Sequence, residues 1–228
     1  MSQGKAIMEL VGTAVLVLTI QLAVSSGSDL APAAIGLGLM VIVYAGAPIS
    51  GAHYNPAVSL AIMLRGKMDV PAMIIYWIAQ LLGGWLGAVV GGTIAGGSYN
   101  VVSAGAGVTA TQAFEAEIVY TFILCFVVLG VATNSAAANN SYFGAAIGLT
   151  VTAGAISVGG ISGGAFNPAV ALGLAAGAGG TSLMYALVTS GANLIGGLLA
   201  AIIFRLTALS EFESSGGGGT AGERQPLV

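Results

Sequence analysis

The chain has 228 residues, 57% of them hydrophobic and 6% charged, with a mean hydropathy of +0.98; an ordinary soluble domain carries ~25% charged residues. The formal net charge of −3 comes partly from a short acidic tail, so the chain offers no basic surface for nucleic acid. Its single cysteine, Cys125, lies inside the apolar run "YTFILCFVVLGVAT", which excludes a disulfide framework or a thiolate metal cluster, and no other pattern calls for a metal or a cofactor.

Six apolar stretches are long enough to cross a bilayer, which takes ~20 helical residues. They run roughly from Ala6 to Val24, Ala33 to Ala47, Pro71 to Ala95, Phe114 to Thr133, Phe143 to Val158 and Ser182 to Leu206. Lys5 in front and small residues behind give the first the look of a signal peptide, but it carries Glu9 and has a counterpart later in the chain, so it reads as a retained span. Two shorter segments, Asn55 to Leu64 and Asn167 to Ala176, are about half a crossing long, and both begin at the same "NPAV".

Lys5, Arg65, Lys67, Arg205 and Arg224 all fall on one side of this map, whereas the segments assigned to the other side contain no Lys or Arg. The positive-inside rule then places both termini in the cytoplasm. The "NNS" at 139–141 falls in a cytoplasmic connection and is expected never to be glycosylated. The Gly- and Ser-rich end, residues 210–228, reads as a disordered, solvated tail. The plasma and vacuolar membranes are not distinguished.

The two halves repeat. "ELVGT" from Glu9 matches "EIVYT" from Glu117, "ISGAHYNPAVSLA" from Ile49 matches "ISGGAFNPAVALG" from Ile161, and "QLLGGWLGA" from Gln80 matches "NLIGGLLAA" from Asn193, at offsets of 108, 112 and 113. Three spans per repeat is an odd number, so the second copy sits upside down in the membrane. The expected fold is an all-α membrane protein of six transmembrane helices and two re-entrant half-helices in an inverted 3+3 repeat. Residues 1–98 form the first repeat, 99–111 a connecting loop, 112–209 the second repeat and 210–228 the tail.

Asn is a favoured helix N-cap and Pro a favoured first helical residue, so Asn55-Pro56-Ala57 and Asn167-Pro168-Ala169 read as helix starts inside the membrane. Inverted symmetry aims these starts at each other, placing ~+0.5 charge equivalents from each at one spot, which repels cations. The preceding Gly51, Ala52 and His53, and Gly163, Gly164 and Ala165, cannot be helical, so their carbonyls line a wetted lane. At its waist the amides of Asn55 and Asn167 donate to a passing oxygen. Neutral solutes pass such a path and ions do not.

Glu9 and Glu117 sit inside spans, where a carboxylate costs ~2.5 kcal/mol or more. They are either a proton relay or structural acceptors for N–H groups of the irregular loops, and their symmetric placement favours bracing. His53, with Ala165 as its counterpart, reads as a loop-fixing hydrogen-bonder rather than a pH gate. Gly83, Gly87 and Gly91, and Ala192, Gly196 and Ala200, are stripes for close helix packing. Tyr76, Trp77 and Tyr99 suit interfacial anchors.

With its paired "SGAHxNPAV" and "SGGAxNPA", two "ExxxT" segments, six spans and two half-helices, the chain resembles the aquaporin, or major intrinsic protein, family from Glu9 to Arg205. The resemblance implies a homotetramer with one pore per subunit, set in membrane lipid and passively conducting water or small neutral solutes. It also implies that Glu9 and Glu117 brace the loops and that Asn55 and Asn167 are the pore asparagines. The arginine that follows the second motif in most of the family is replaced by Val170, and the other selectivity-filter positions fall on Ile35, Ala155 and Gly164. That filter is wide and apolar, consistent with glycerol, urea or ammonia passing beside water. Tyr54 and Phe166 are bulky enough to narrow the waist instead. No enzymatic chemistry is expected; the competing readings are an ion-coupled carrier and a junction or scaffold protein with an occluded pore.

Overall fold

In the computed structural model, which describes residues 2–213, every regular element is helical. The helices are α1 (Gln3–Ser25), α2 (Ala31–Ser50), α3 (Pro56–Leu64), α4 (Val70–Ile94), α5 (Ala110–Ala132), α6 (Phe143–Ser162), α7 (Pro168–Gly177), α8 (Leu183–Thr207) and α9 (Ser210–Glu213), with a 3-10 turn at Ser135–Ala137. Six of them, α1, α2, α4, α5, α6 and α8, are long and apolar enough to cross a membrane. At 1.5 Å per residue the 20 to 25 residues of these helices span ~30–38 Å. Six crossings return the chain to its starting side, so residues 2 and 213 share one face, called here the terminal face.

Local chemistry sets the boundaries. Asp69 caps α4 by accepting from the Ala72 N–H at 2.8 Å, and Thr109 with Gln112 forms a reciprocal capping box at the start of α5. The ends of α2 and α6 are equivalent: Gly51 and Gly163 take left-handed conformations with φ of 88° and 86°, which a residue with a Cβ rarely adopts.

The lateral surface is apolar. Ile74, Ile78 and Leu82 of α4 and Leu187, Leu198 and Ile202 of α8 are exposed, as lipid-facing side chains are. Polar Glu9, Gln21, Gln80, Glu117 and Asn193 are buried, the reverse of a water-soluble fold. α1 packs on α2 and α4, and α5 packs equivalently on α6 and α8.

Glycine makes these contacts close. A Cβ on Gly83 or Gly87 would stand 2.3 Å from the carbonyl oxygens of Leu10 and Ala14 in α1, and one on Gly196 would stand 2.6 Å from that of Ile118 in α5. The second glycine of each "GG" pair faces another way. Gly84 lies against Ala169 of α7 and Gly197 against Ala57 of α3, with Cβ positions 2.3 and 2.7 Å from their carbonyl oxygens. Each short helix therefore docks on the long helix of the other half.

Three expectations need correction. Ser210–Glu213 are helical and packed, because the Phe212 ring lies against the guanidinium groups of Arg65 and Arg205, 4.4 and 5.0 Å from its centre; the remainder of the expected tail, 214–228, lies outside the described residues. Tyr76 is buried and donates its hydroxyl to the Ser50 carbonyl at 2.6 Å, so it fastens the end of α2 instead of anchoring at an interface. Trp77 likewise spends its indole N–H on the Pro56 carbonyl at 2.9 Å.

Candidate pore

The loops that precede α3 and α7 hold an unusual backbone. Ala52, Tyr54 and Phe166 have φ near +50°, which costs an L-residue roughly 1–2 kcal/mol each. Two buried carboxylates hold them there. Glu9 Oε1 accepts from Ser50 Oγ at 2.7 Å and the His53 N–H at 3.0 Å, while Oε2 accepts from the Tyr54 N–H at 2.7 Å and Gln80 Nε2 at 2.8 Å. Glu117 repeats the pattern with Ser162 Oγ, the Ala165 N–H, the Phe166 N–H and Asn193 Nδ2, at 2.8, 2.9, 2.8 and 2.7 Å. Each carboxylate is thus surrounded by four donors.

His53 belongs to this scaffold in the first half only. Its Nδ1 lies 3.0 Å from Ser59 Oγ, which also accepts from Gln80 Nε2, and its ring packs edge-on to Tyr76. The Tyr54 and Phe166 rings turn away from the waist. A Cβ on Gly12 or Gly46 would fall about 2 Å from the Tyr54 ring or hydroxyl, and one on Gly154 would stand 2.8 Å from Phe166, whose ring also meets Tyr120.

The short helices start as the sequence suggests. Asn55 Oδ1 accepts from the Ala57 N–H and Asn167 Oδ1 from the Ala169 N–H, both at 2.9 Å, with Pro56 and Pro168 as the first helical residues. Their Nδ2 groups cross over: Asn55 donates to the Phe166 carbonyl and Asn167 to the Tyr54 carbonyl, each at 2.9 Å. The two helix starts therefore face each other. Since an amide NH2 carries two hydrogens, each asparagine keeps one to offer.

A cavity of about 440 Å3 runs past this point. Asn55 and Asn167 border it, together with Gly51, Ala52 and His53 on one approach and Gly163, Gly164 and Ala165 on the other. Among the described residues no donor reaches the carbonyls of these six. Ile35, Ala155 and Val170 line the cavity with Gly164, and its far walls are largely aliphatic. Ala132 and Phe143 border the end nearer the terminal face, and Val24, Ala31 and Gly105 the opposite mouth. Cys125 is buried and does not border it.

Sequence reasoning missed part of this wall. Residues 100–105, within the α4–α5 connection, border the opposite mouth; a loop of small and apolar residues carries no signal that it folds inward. It also missed Gly84 and Gly197, although the "GG" doublets at 83–84 and 196–197 were the visible sign that each long helix has two neighbours.

Six membrane-length helices, two half-helices meeting head to head and a cavity bordered by residues from both ends of the helices define a channel-type membrane protein. Residues 1–204 match the major intrinsic protein family, to which the chain belongs. It is 35% identical over 174 residues to a probable aquaporin TIP2-2 of Oryza sativa subsp. japonica, covering 75% of this chain and 68% of that one. It is 32% identical over 218 residues to a glycerol uptake facilitator protein-like 6 of Lactiplantibacillus plantarum, covering 89% and 97%. The fold is similar to the X-ray structure of the aquaglyceroporin from Plasmodium falciparum, with a TM-score of 0.82 and 24% identity over 92% of this chain and 98% of that one.

Proposed function

We propose that the protein is a passive channel for water and small uncharged solutes, with glycerol, urea or ammonia among them, and that it excludes ions. The crossed amide–carbonyl pair carries this reading. It fixes one free N–H of Asn55 and one of Asn167 at the waist, with the positive ends of α3 and α7 behind them. A neutral solute exchanges water for carbonyl acceptors and amide donors along the lane. A cation meets ~+0.5 charge equivalents from each helix start without its hydration shell.

Ile35, Ala155, Gly164 and Val170 act as the selectivity filter, wide and without a side-chain donor, which favours solutes larger than water. Both termini face the cytoplasm by the distribution of Lys and Arg, and the chain works as a homotetramer with one pore per subunit. Glu9 and Glu117 brace the loops. Each carboxylate already accepts from four donors that fix its loop, and a proton taken up there would weaken those charge-assisted bonds, which disfavours ion coupling.

The test is stopped-flow light scattering on proteoliposomes of the full chain, with water, glycerol, urea and ammonia in turn. Permeability above that of protein-free vesicles, unchanged by a proton uncoupler, is the expected result. Lipid-only rates for all four would favour an occluded scaffold, and loss of uptake with the uncoupler would favour a carrier.

A further inference from the structure

We infer that Tyr185 is a positioning residue for the selectivity filter: by holding the Ser162 carbonyl, its hydroxyl fixes the peptide plane from which the Gly163 and Gly164 carbonyls are aimed into the lumen. The inference rests on the channel reading above. Tyr185 stands half-buried in the first turn of α8 and donates its hydroxyl to the Ser162 carbonyl at 2.8 Å. The same peptide plane carries the Gly163 N–H, which donates to the Gly159 carbonyl at 2.9 Å. A peptide group is flat, so a plane held at both its oxygen and its nitrogen has one orientation. The next two carbonyls, of Gly163 and Gly164, have no donor among the described residues, and both residues border the cavity.

The first half makes the same bond by a different route. Tyr76 donates to the carbonyl of Ser50, the residue that matches Ser162 in the repeat, at 2.6 Å. The two tyrosines do not match each other. Tyr76 stands four residues before Gln80, and Tyr185 eight before Asn193, the counterpart of Gln80; Thr189 holds the place equivalent to Tyr76. A hydroxyl thus reaches the same carbonyl from two different turns of the two long helices, which repetition alone does not produce.

The halves differ beyond this bond. After Gly51 the first loop continues with Ala52 at φ 51°, whose Cβ restricts rotation, and His53, whose ring is tied to Ser59 Oγ at 3.0 Å and lies edge-on to Tyr76. After Gly163 the second loop continues with another glycine, Gly164, at φ 65°. Two glycines in succession rotate freely and have no side chain to tether. Ser162 Oγ accepts from the Gly164 N–H at 3.2 Å, and Glu117 takes hold only at Ala165. With the Ser162 carbonyl released, the 162–163 plane turns and carries the Gly163 and Gly164 carbonyls with it. Ile35, Ala155 and Val170 bring only apolar side chains to the filter, so discrimination there depends on aimed acceptors. Glycerol and urea meet two or more of them at once, whereas water needs one.

The experiment compares wild type, Tyr185→Phe and Tyr76→Phe in proteoliposomes of the full chain, reading glycerol and urea permeability against water permeability, with melting temperature in detergent alongside. Each substitution keeps the ring and removes only the donor. Tyr185→Phe is expected to lower the glycerol-to-water and urea-to-water ratios about twofold or more, the rate change that one net hydrogen bond makes. Tyr76→Phe is expected to keep the wild-type ratios even where it melts earlier. Unchanged ratios in Tyr185→Phe, or an equal fall in both variants, would overturn the inference, because a bond that only stabilises the fold does not alter discrimination at the filter. Where Tyr185→Phe fails to assemble, Tyr185→Met, flexible and apolar with no O–H, decides by the same ratios. Wild-type vesicles no more permeable than lipid to any of the solutes would overturn the channel reading itself, a result distinct from a conducting wild type whose ratios ignore Tyr185.

Discussion

Asn167 donates its side-chain amide to the carbonyl of Tyr54, 113 residues earlier in the chain, at 2.9 Å. Asn55 makes the reciprocal bond to Phe166 at the same distance. Each amide is held at three points: its oxygen caps its own helix, one N–H crosses to the other half, and the covalent link fixes the rest. The orientation of the last N–H is set before any solute arrives, which is what preorganised donors need.

Asn167→Asp separates the amide's roles. Aspartate keeps the cap on the Ala169 N–H but sets an acceptor against the Tyr54 carbonyl, and it places a negative charge where two helix starts are positive. Leaving that carbonyl without its donor costs ~1–3 kcal/mol, so the melting temperature in detergent should fall. Cation leak, read with a potassium- or proton-sensitive dye in vesicles, should rise above wild type. A folded variant that stays tight to cations would show that the helix ends are not the barrier to charge.

The repeat was legible in the sequence because its chemistry is scarce: two buried carboxylates and two Asn-Pro pairs in an otherwise apolar chain are visible without any structure. The element bounds moved by only a few residues. The bracing glutamates were legible as alternatives, and the four donors gathered around each were not, because Ser50, Gln80, Ser162 and Asn193 are ordinary polar residues until folding brings them to one carboxylate. The directions of Tyr54 and Phe166 were illegible for a backbone reason. A positive φ at a bulky residue is locally unfavourable, and only the tertiary bonds to Glu9 and Glu117 impose it.

Gly46→Ala tests that backbone. Its Cβ would stand 1.7 Å from the Tyr54 hydroxyl oxygen, which donates to the Ile42 carbonyl at 3.2 Å. The ring has no free side to move to, since a Cβ on Gly12 would meet it at 2.1 Å. Overpacking of this kind costs typically ~1–3 kcal/mol, so the variant should melt earlier and conduct less. Gly191→Ala, where a Cβ meets nothing within 4 Å, is the matched control and should do neither.

Val170→Arg tests the filter. Val170 is buried at the start of α7 and borders the lumen beside Gly164. A guanidinium there has the unpaired carbonyls of Gly163 and Gly164 as acceptors and would fill space now lined by methyl groups. Glycerol and urea flux should drop while water flux persists and the assembly elutes unchanged. Equal loss of all three would indicate misfolding, and unchanged glycerol and urea flux would remove Val170 from the filter.

Glu211 offers a pH test on the terminal face. Its carboxylate accepts from the Ser135 hydroxyl, from the Ser135 N–H at 3.1 Å and from Arg65 Nη2 at 2.8 Å, joining α9 to the α5–α6 connection and to the end of α3. The Ser135 hydroxyl bond first, then the Ser135 N–H and the charges of Arg65 and Lys67, holds its carboxyl below the ordinary glutamate value. A depressed folded value means that the unfolded chain binds the proton more readily, so the contribution to stability is fully present above the unfolded value. It is lost as pH falls through the folded one. Glu211→Gln should therefore lower the melting temperature at neutral pH, where Arg65, only 5% exposed and with its Nε unpartnered, loses its counter-charge. The gap between wild type and variant should close on acidification below about pH 4.3, the ordinary glutamate value. Melting curves from pH 7 downward check this, and a gap that stays constant with pH would mean that Glu211 holds α9 without its charge.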